Sequence, residues 1–147
     1  MVDLNHEEQE RQRLNAALEL LHFGFRAIIA HPDQRLAEIG YSRVHHRILY
    51  FIGRHPNSSI KELLEIMHVS KQYLHRPLKQ LVDDGYVYAQ QNDEDLRIKR
   101  LTLSDTGKAL EETLTGEQRL QMKSAFRDAG PSAESGWRRV MKLLAKA

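Results

Sequence analysis

The sequence predicts a mainly α-helical protein with a small β-wing, on the strength of three observations. A long uninterrupted helical pattern opens the chain. A short helix, a tight turn and a second helix then occupy residues 59–84, and two β-rich segments joined by a charged turn follow as far as Leu103. This order is the outline of a winged helix-turn-helix, so residues 42–103 are predicted to form that core within a single domain of residues 1–147.

Composition limits the classes of protein to consider. A chain of 147 residues with 41% hydrophobic and 29% charged residues can bury a sizeable core as one domain. The net charge is only +2, so any surface for nucleic acid must be local. The chain has no cysteine, which excludes disulfides and thiol chemistry. No apolar run has membrane-spanning length and the acidic, Gln-rich start does not resemble a signal peptide, so we expect a soluble cytoplasmic protein without membrane partners.

The first predicted helix runs from Asp3 to Ala30 and ends at His31-Pro32, because the residue before a proline disfavours the helical region. Its apolar residues recur with heptad-like spacing. They are Leu14, Leu18, Leu21, Phe25 and Ile28. The helix could be an ordinary core helix, but its length and position favour contact with a partner subunit.

Residues 32–41 are predicted to be a connector with a short helical turn at residues 36–39. Ser42 is the expected N-cap of a second helix that continues to about Arg54, and breaker residues 55–58 close it.

Serines mark the starts of the next two helices. Ser59 can cap a third helix, Ile60–Met67, and Ser70 can cap a fourth that extends to about residue 84. Gly85 suits the positive φ of a helix C-terminus.

The wing is predicted from two β-rich segments, Tyr86–Gln90 and Arg97–Leu103, around the polar turn Asn92–Leu96. Leu101 and Leu103 share one face of the second strand, which we expect to be the core face.

Two helices close the chain. Ser104 is expected to cap a linking helix over residues 104–128, with a possible break at Gly116. After Gly130-Pro131 a last helix starts at about Ser132.

The fourth helix carries the predicted DNA-reading surface. Between Ser70 and Leu81 it has three cationic side chains and no acid, and its polar residues lie away from its leucine face. The major groove of double-stranded DNA admits a helix, and long polar side chains there reach base edges and phosphates. The alternative is a solvated face of an ordinary helix. The predicted DNA-binding residues of this helix are Ser70, Lys71, Gln72, His75, Arg76 and Lys79, with further hydrogen-bonding capacity from Gln80.

The wing adds basic residues. Arg97, Lys99 and Arg100 follow the hairpin turn, and Arg97 and Lys99 complete the predicted DNA-binding set. An arginine beside a reading helix can enter the negative minor groove. The acids at 93–95 oppose this, although Asp95 can support the wing by holding Arg97 in place. The alternative is a solvent-exposed charged turn.

Three segments follow one another with a recognisable order and spacing: LVDDGYV at residues 81–87, the wing pair Asp95 and Arg97, and LTLSDTGKAL at residues 101–110. In this order and spacing the chain resembles the MarR family of bacterial transcriptional regulators. In the last segment Ser104 stands where the family's L-T-x-x-G pattern often has threonine.

The resemblance implies a homodimer formed through residues 3–31 and 117–147. It also implies two reading helices in successive major grooves of a near-palindromic operator, and repression relieved by a small, often aromatic, effector. The positions that map to the effector region are Arg26, Tyr41, Arg43 and His45. An arginine and aromatic rings suit an aromatic carboxylate, although surface or packing roles are the alternative.

Two residues depart from the family pattern. Leu96 stands where many members carry a second basic wing residue, which predicts a weaker wing contact. Pro77 lies inside the reading helix, where proline removes a backbone hydrogen bond. It is expected either to kink the helix and redirect the residues before it, or to make the helix locally irregular.

Other functions find little support. No histidine pair has the i, i+4 spacing of a helical zinc site, so no metal or other cofactor is predicted. No catalytic residues are predicted, since the sequence contains no nucleophile elbow or phosphate-binding loop. The remaining alternative is a winged-helix module for protein–protein contact without specific DNA binding, which the modest net charge would suit.

Overall fold

The computed structural model describes residues 3–146 and confirms the predicted fold class: a mainly helical protein with a small antiparallel sheet. Its elements are α1 (Leu4–Glu38), α2 (Arg43–Arg54), β1 (Ser58–Ser59), α3 (Ile60–Met67), α4 (Lys71–Asp83), β2 (Val87–Gln91), β3 (Lys99–Leu103), α5 (Asp105–Ala129) and α6 (Pro131–Ala145).

The first helix is longer than predicted. α1 has 35 residues and ends at Glu38, so both the predicted end at His31-Pro32 and the connector beginning at residue 32 are wrong. Pro32 lies inside the helix and is fully buried. The predicted helical turn at residues 36–39 is the last turn of this same helix.

A contact from α5 compensates for the proline. Because Pro32 has no N–H, the carbonyl of Ile28 four residues earlier lacks its helical donor. The side-chain Nε2 of Gln118 donates a hydrogen bond to that carbonyl at 3.1 Å. Tertiary structure thus satisfies the group that the proline leaves unpaired, and the helix continues.

The serines predicted as N-caps, which are Ser42, Ser59, Ser70 and Ser104, each occupy that position. The hydroxyls of Ser59, Ser70 and Ser104 each accept a bond from the backbone N–H three residues later, at 3.1, 3.1 and 3.0 Å. Gly85 has a φ of +83°, as its cap position requires. The possible break at Gly116 does not occur, because α5 continues through it.

The sheet has three strands in the order β1-β3-β2, and all neighbours are antiparallel. The predicted hairpin is present, but β1 was not predicted. Ser58 and Ser59 pair with Leu101 and Arg100, whereas the sequence predicts only a helix-breaking residue at 58 and a helix cap at 59. A strand of two residues has no alternation of apolar and polar positions to detect.

The core lies between α2, α3, α4 and the sheet. Leu101 and Leu103 face it, as expected from the strand pattern. Its buried members are Ile48, Leu49, Ile52, Leu63, Leu74, Leu78, Leu81, Val87, Leu101 and Leu103. Across residues 3–146, no helix combines the length and apolar character needed to cross a membrane.

Candidate nucleic-acid interface

Helix α4 has two distinct faces. Leu74, Leu78 and Leu81 are buried in the core. The predicted reading residues lie outside it and are all exposed: Ser70, Lys71, Gln72, His75, Arg76 and Lys79. The leucine face therefore holds the helix on the protein and turns these polar side chains toward solvent.

Two contacts modify the predicted surface of α4. Lys79 forms an ion pair with Asp83 at 2.7 Å, so the expectation of a wholly uncompensated basic face is wrong at this residue. Asp83 lies one turn later, beyond the segment that contains no acid. Gln80 bonds to His45 at 2.7 Å, and its amide oxygen is therefore already engaged within the protein.

Pro77 lies in the middle of α4, and the helix is nevertheless continuous from Lys71 to Asp83. The expectation of a locally irregular helix is therefore wrong. Buried leucines on both sides of the proline, Leu74 and Leu78, hold the helix against the core.

In the wing, Asp95 contacts Arg97 through both carboxylate oxygens. The Arg97 Nε donates to Oδ1 at 3.1 Å and its Nη2 donates to Oδ2 at 3.1 Å. These bonds lower the pKa of the Asp95 carboxyl. The Arg97 side chain is 90% exposed, so Asp95 orients a guanidinium that still projects into solvent. The leucine at position 96, beside this pair, is also exposed.

The other two basic residues of the wing, Lys99 and Arg100, differ in exposure. Lys99 is exposed, as a DNA contact requires. Arg100 is half-buried and donates from Nη1 to Glu62 Oε1 of α3 at 2.8 Å and to the carbonyl of Asn57 at 3.4 Å. The bond from Arg100 is the main reason that the pKa of Glu62 is lowered. Arg100 therefore ties the wing to α3.

The four predicted effector residues fall into two groups. Arg26 and Arg43 line one cavity of about 470 Å³ between α1 and the start of α2. Arg43 Nε lies 3.0 Å from an Asp33 carboxylate oxygen, and its guanidinium lies 5.9 Å from the centre of the Phe25 ring. The other residues that line this cavity are His22, Ile29 and Ala30.

Tyr41 and His45 do not line that cavity. Their rings stack on each other, with centroids 4.2 Å apart, and both side chains bond to the C-terminal end of α4. The structure therefore brings Arg26 and Arg43 to one cavity and places Tyr41 and His45 outside it.

The adjacent histidines of α2 have separate roles. His46 is buried, and its Nε2 lies 3.0 Å from the Thr115 hydroxyl of α5. Burial lowers the pKa of His46. Within the described part of the chain, no three His, Asp or Glu side chains come together as a metal ion would require.

Comparison with known proteins identifies relatives of this chain. The sequence pattern of the MarR family matches residues 39–98. The HTH-type transcriptional regulator PetP of Rhodobacter capsulatus is 37% identical over 133 residues, which cover 90% of this chain and 80% of that protein.

Solved structures share the fold at lower sequence identity. Streptococcus pneumoniae FabT, solved in complex with DNA, has a TM-score of 0.78 and 16% identity, over 92% of this chain and 95% of that one. The MarR family regulator SP03579 has a TM-score of 0.76 and 20% identity, over 95% and 92% of the two chains.

Proposed function

This chain belongs to the MarR family of transcriptional regulators, and on that premise we propose that it is a ligand-responsive repressor that binds a pseudo-palindromic operator as a homodimer. Members of the family are DNA-binding proteins without enzymatic activity, in agreement with the prediction of no catalytic residues.

The observation that carries the proposal is the two-faced character of α4. Its leucines are buried, while the side chains of Lys71, Gln72, His75 and Arg76 are exposed along the first half of the helix. In a major groove, Arg and Lys bind guanine edges and phosphates, and Gln binds adenine. The wing supports the same role, because Arg97 is both exposed and oriented by Asp95.

The homodimer is supported by apolar side chains with no place in the protomer's core. On α1, Leu14, Leu18, Leu21 and Phe25 are 49%, 64%, 49% and 42% exposed. On α6, Trp137, Val140, Leu143 and Leu144 are exposed as well. Exposed apolar side chains spaced along one face of a helix are typical of an interface, and a second copy would bury the stripe predicted on α1.

Two matched leucine variants test this interface. Leu18 lies on the α1 stripe, whereas Leu20 is at least as exposed but lies off it. Sedimentation is expected to show that Leu18→Glu weakens the dimer at least about tenfold, since a buried unpaired charge is costly, and that Leu20→Glu does not. A monomeric wild-type protein at micromolar concentration, or equal effects of the two variants, would contradict the proposed dimer.

The cavity beside Arg26 and Arg43 is the proposed effector site. An aromatic carboxylate can place its ring against Phe25 and its carboxylate near the guanidinium of Arg26. A panel of phenolic acids is expected to include at least one that raises the melting temperature of the wild-type protein and not of Arg26→Gln. Failure of every member to stabilise the wild type would count against this cavity.

Capture of genomic DNA tests the proposed function as a whole. Purified protein at low salt is expected to retain fragments that share a near-palindromic motif. A protein–protein module would retain no specific fragment even at low salt. The genes beside the retained fragments would then indicate which pathway to search for the effector.

A further inference from the structure

Tyr41 and His45, at the joint between α1 and α2, contact the C-terminal end of the reading helix. We propose that these two side chains are positioning residues, which hold α4 at a fixed angle to the helices of the dimer interface and thereby set the half-site spacing that the protein accepts. The inference rests on the proposed function, because it requires a dimer that reads two half-sites.

The first contact joins Tyr41 to Asp84. The phenol hydroxyl donates a hydrogen bond to the carboxylate of Asp84, the residue that caps the C-terminus of α4. The phenol ring is confined on two sides. It stacks on His45 at 4.2 Å with only 8° between the ring planes, and it meets the edge of Tyr86 at 5.7 Å. The hydroxyl therefore has little freedom to follow α4 if the helix moves.

The second contact joins His45 to Gln80. The backbone N–H of Ser42 donates to His45 Nδ1 at 3.0 Å, so this nitrogen is an acceptor. The neutral ring consequently carries its hydrogen on Nε2, which donates to Gln80 Oε1 at 2.7 Å. Gln80 and Asp84 are four residues apart and lie on one face of the helix end. Two attachments one turn apart fix both the position and the tilt of this end.

The same joint is also attached to α1. Arg43, between the two positioning residues, forms an ion pair with Asp33 at 3.0 Å, and its guanidinium lies over the Phe25 ring. The joint is therefore held to the long first helix on one side and to the reading helix on the other. This makes a continuous path from the proposed dimer helix to α4.

A small tilt of α4 about its held C-terminal end moves the side chains at its N-terminal end considerably. Gln80 and Lys71 are nine residues apart, which is roughly 13 Å along an α-helix. A tilt of about 10° around the held end would move Lys71 by roughly 2 Å over that distance. A shift of this size matters to hydrogen bonds with base edges, whose donor–acceptor distances vary by only a few tenths of an ångström.

The experiment compares two operators rather than one. Dissociation constants are measured for the preferred operator and for the same operator with one base pair inserted between its half-sites. Tyr41→Phe removes only the hydroxyl and keeps the stacked ring. The ratio of interest is the dissociation constant for the lengthened operator divided by that for the preferred operator. Tyr41→Phe is expected to lower this ratio about threefold to tenfold, the range of a net hydrogen-bond contribution. The slope of affinity against salt should not change, since no phosphate contact is lost.

The controls separate positioning from general stability. A variant that is merely less folded binds both operators less well, so the ratio stays constant. Tyr88→Phe removes the hydroxyl of an exposed tyrosine on β2 that makes no side-chain hydrogen bond within residues 3–146, and it should leave the ratio unchanged. Asp84→Ala, which removes the acceptor, should lower the ratio as Tyr41→Phe does, and the double variant should lower it no further.

The outcomes are distinguishable. If the wild type binds DNA and discriminates spacing while Tyr41→Phe keeps the wild-type ratio, this inference is wrong and the proposed function stands. If the wild type binds no DNA at low salt, the proposed function fails and this inference fails with it. Additive effects of Tyr41→Phe and Asp84→Ala would also overturn it, since the two groups would then act separately.

Discussion

The side-chain Nε2 of Gln118 lies 3.1 Å from the backbone carbonyl of Ile28, the one that Pro32 leaves without a helical donor. We predict that Gln118→Ala lowers the free energy of unfolding by about 1–3 kcal/mol, because a half-buried carbonyl then has no partner. Urea denaturation at one fixed protein concentration measures the loss, since the stability of an oligomer depends on concentration.

A proline variant provides the control. In Pro32→Ala the new N–H can bond to the Ile28 carbonyl, so Gln118→Ala should cost less in that background. Gln121→Ala is a second control, because Gln121 contacts the Ala27 carbonyl at 3.4 Å and that carbonyl keeps its own helical donor. Equal costs of Gln118→Ala with and without the proline would show that the contact does not serve this purpose.

Replacing the two neighbouring acids of the wing, Glu94 and Asp95, is expected to have different effects on DNA affinity. Glu94→Ala removes a negative charge near the proposed DNA backbone and should leave affinity unchanged or raise it. Asp95→Ala removes the same charge but also frees the guanidinium of Arg97. We expect it to weaken binding by about twofold to tenfold, the range of a typical net hydrogen bond. Fluorescence anisotropy with a captured operator measures both.

The comparison between these two variants is decisive because their change in charge is identical. If Asp95→Ala tightens binding as much as Glu94→Ala does, the carboxylate of Asp95 acts only as a repulsive charge. Orientation of Arg97 would then be irrelevant to DNA binding.

Pro77 gives a prediction about site preference. The helix is continuous around it, so its effect on DNA must come from the direction of the segment before it rather than from unfolding. We expect Pro77→Ala to alter relative affinities across operator variants by about tenfold or less, because each altered base contact is worth about 1–3 kcal/mol and only part of it is lost. A binding profile that matches the wild type across all variants would exclude redirection by Pro77.

Much of the fold could be predicted from local signals in the sequence. Ser59, Ser70 and Ser104 cap helices through bonds to residues three positions away, so the amino-acid order alone locates these starts. The leucine spacing of α4 likewise identifies its buried face, and the exposed positions of Lys71 and Arg76 follow from it.

The predictions that failed concern residues whose hydrogen-bond partners lie far away in the sequence. Pro32 is tolerated in α1 because of a residue 86 positions later, which no local rule can find. Tyr41 and Asp84 are 43 residues apart, so their contact cannot be predicted from local sequence signals. The sequence identifies Arg100 only as a further basic residue of the wing, because its contact with Glu62 forms only in the folded chain.

The central claim is that two copies of α4 meet the DNA backbone on one operator, and the salt dependence of Lys71→Ala tests it most directly. Lys71 is exposed at the start of α4, while Lys123 is exposed on α5 and serves as the control. Log affinity for a captured operator is measured against log salt concentration. Each neutralised phosphate contributes about 0.9 to the slope, so loss of Lys71 from a dimer should reduce it by about 1.8 and Lys123→Ala should leave it unchanged. An unchanged slope for Lys71→Ala would contradict the account, and a reduction of only about 0.9 would mean that a single copy reads the DNA.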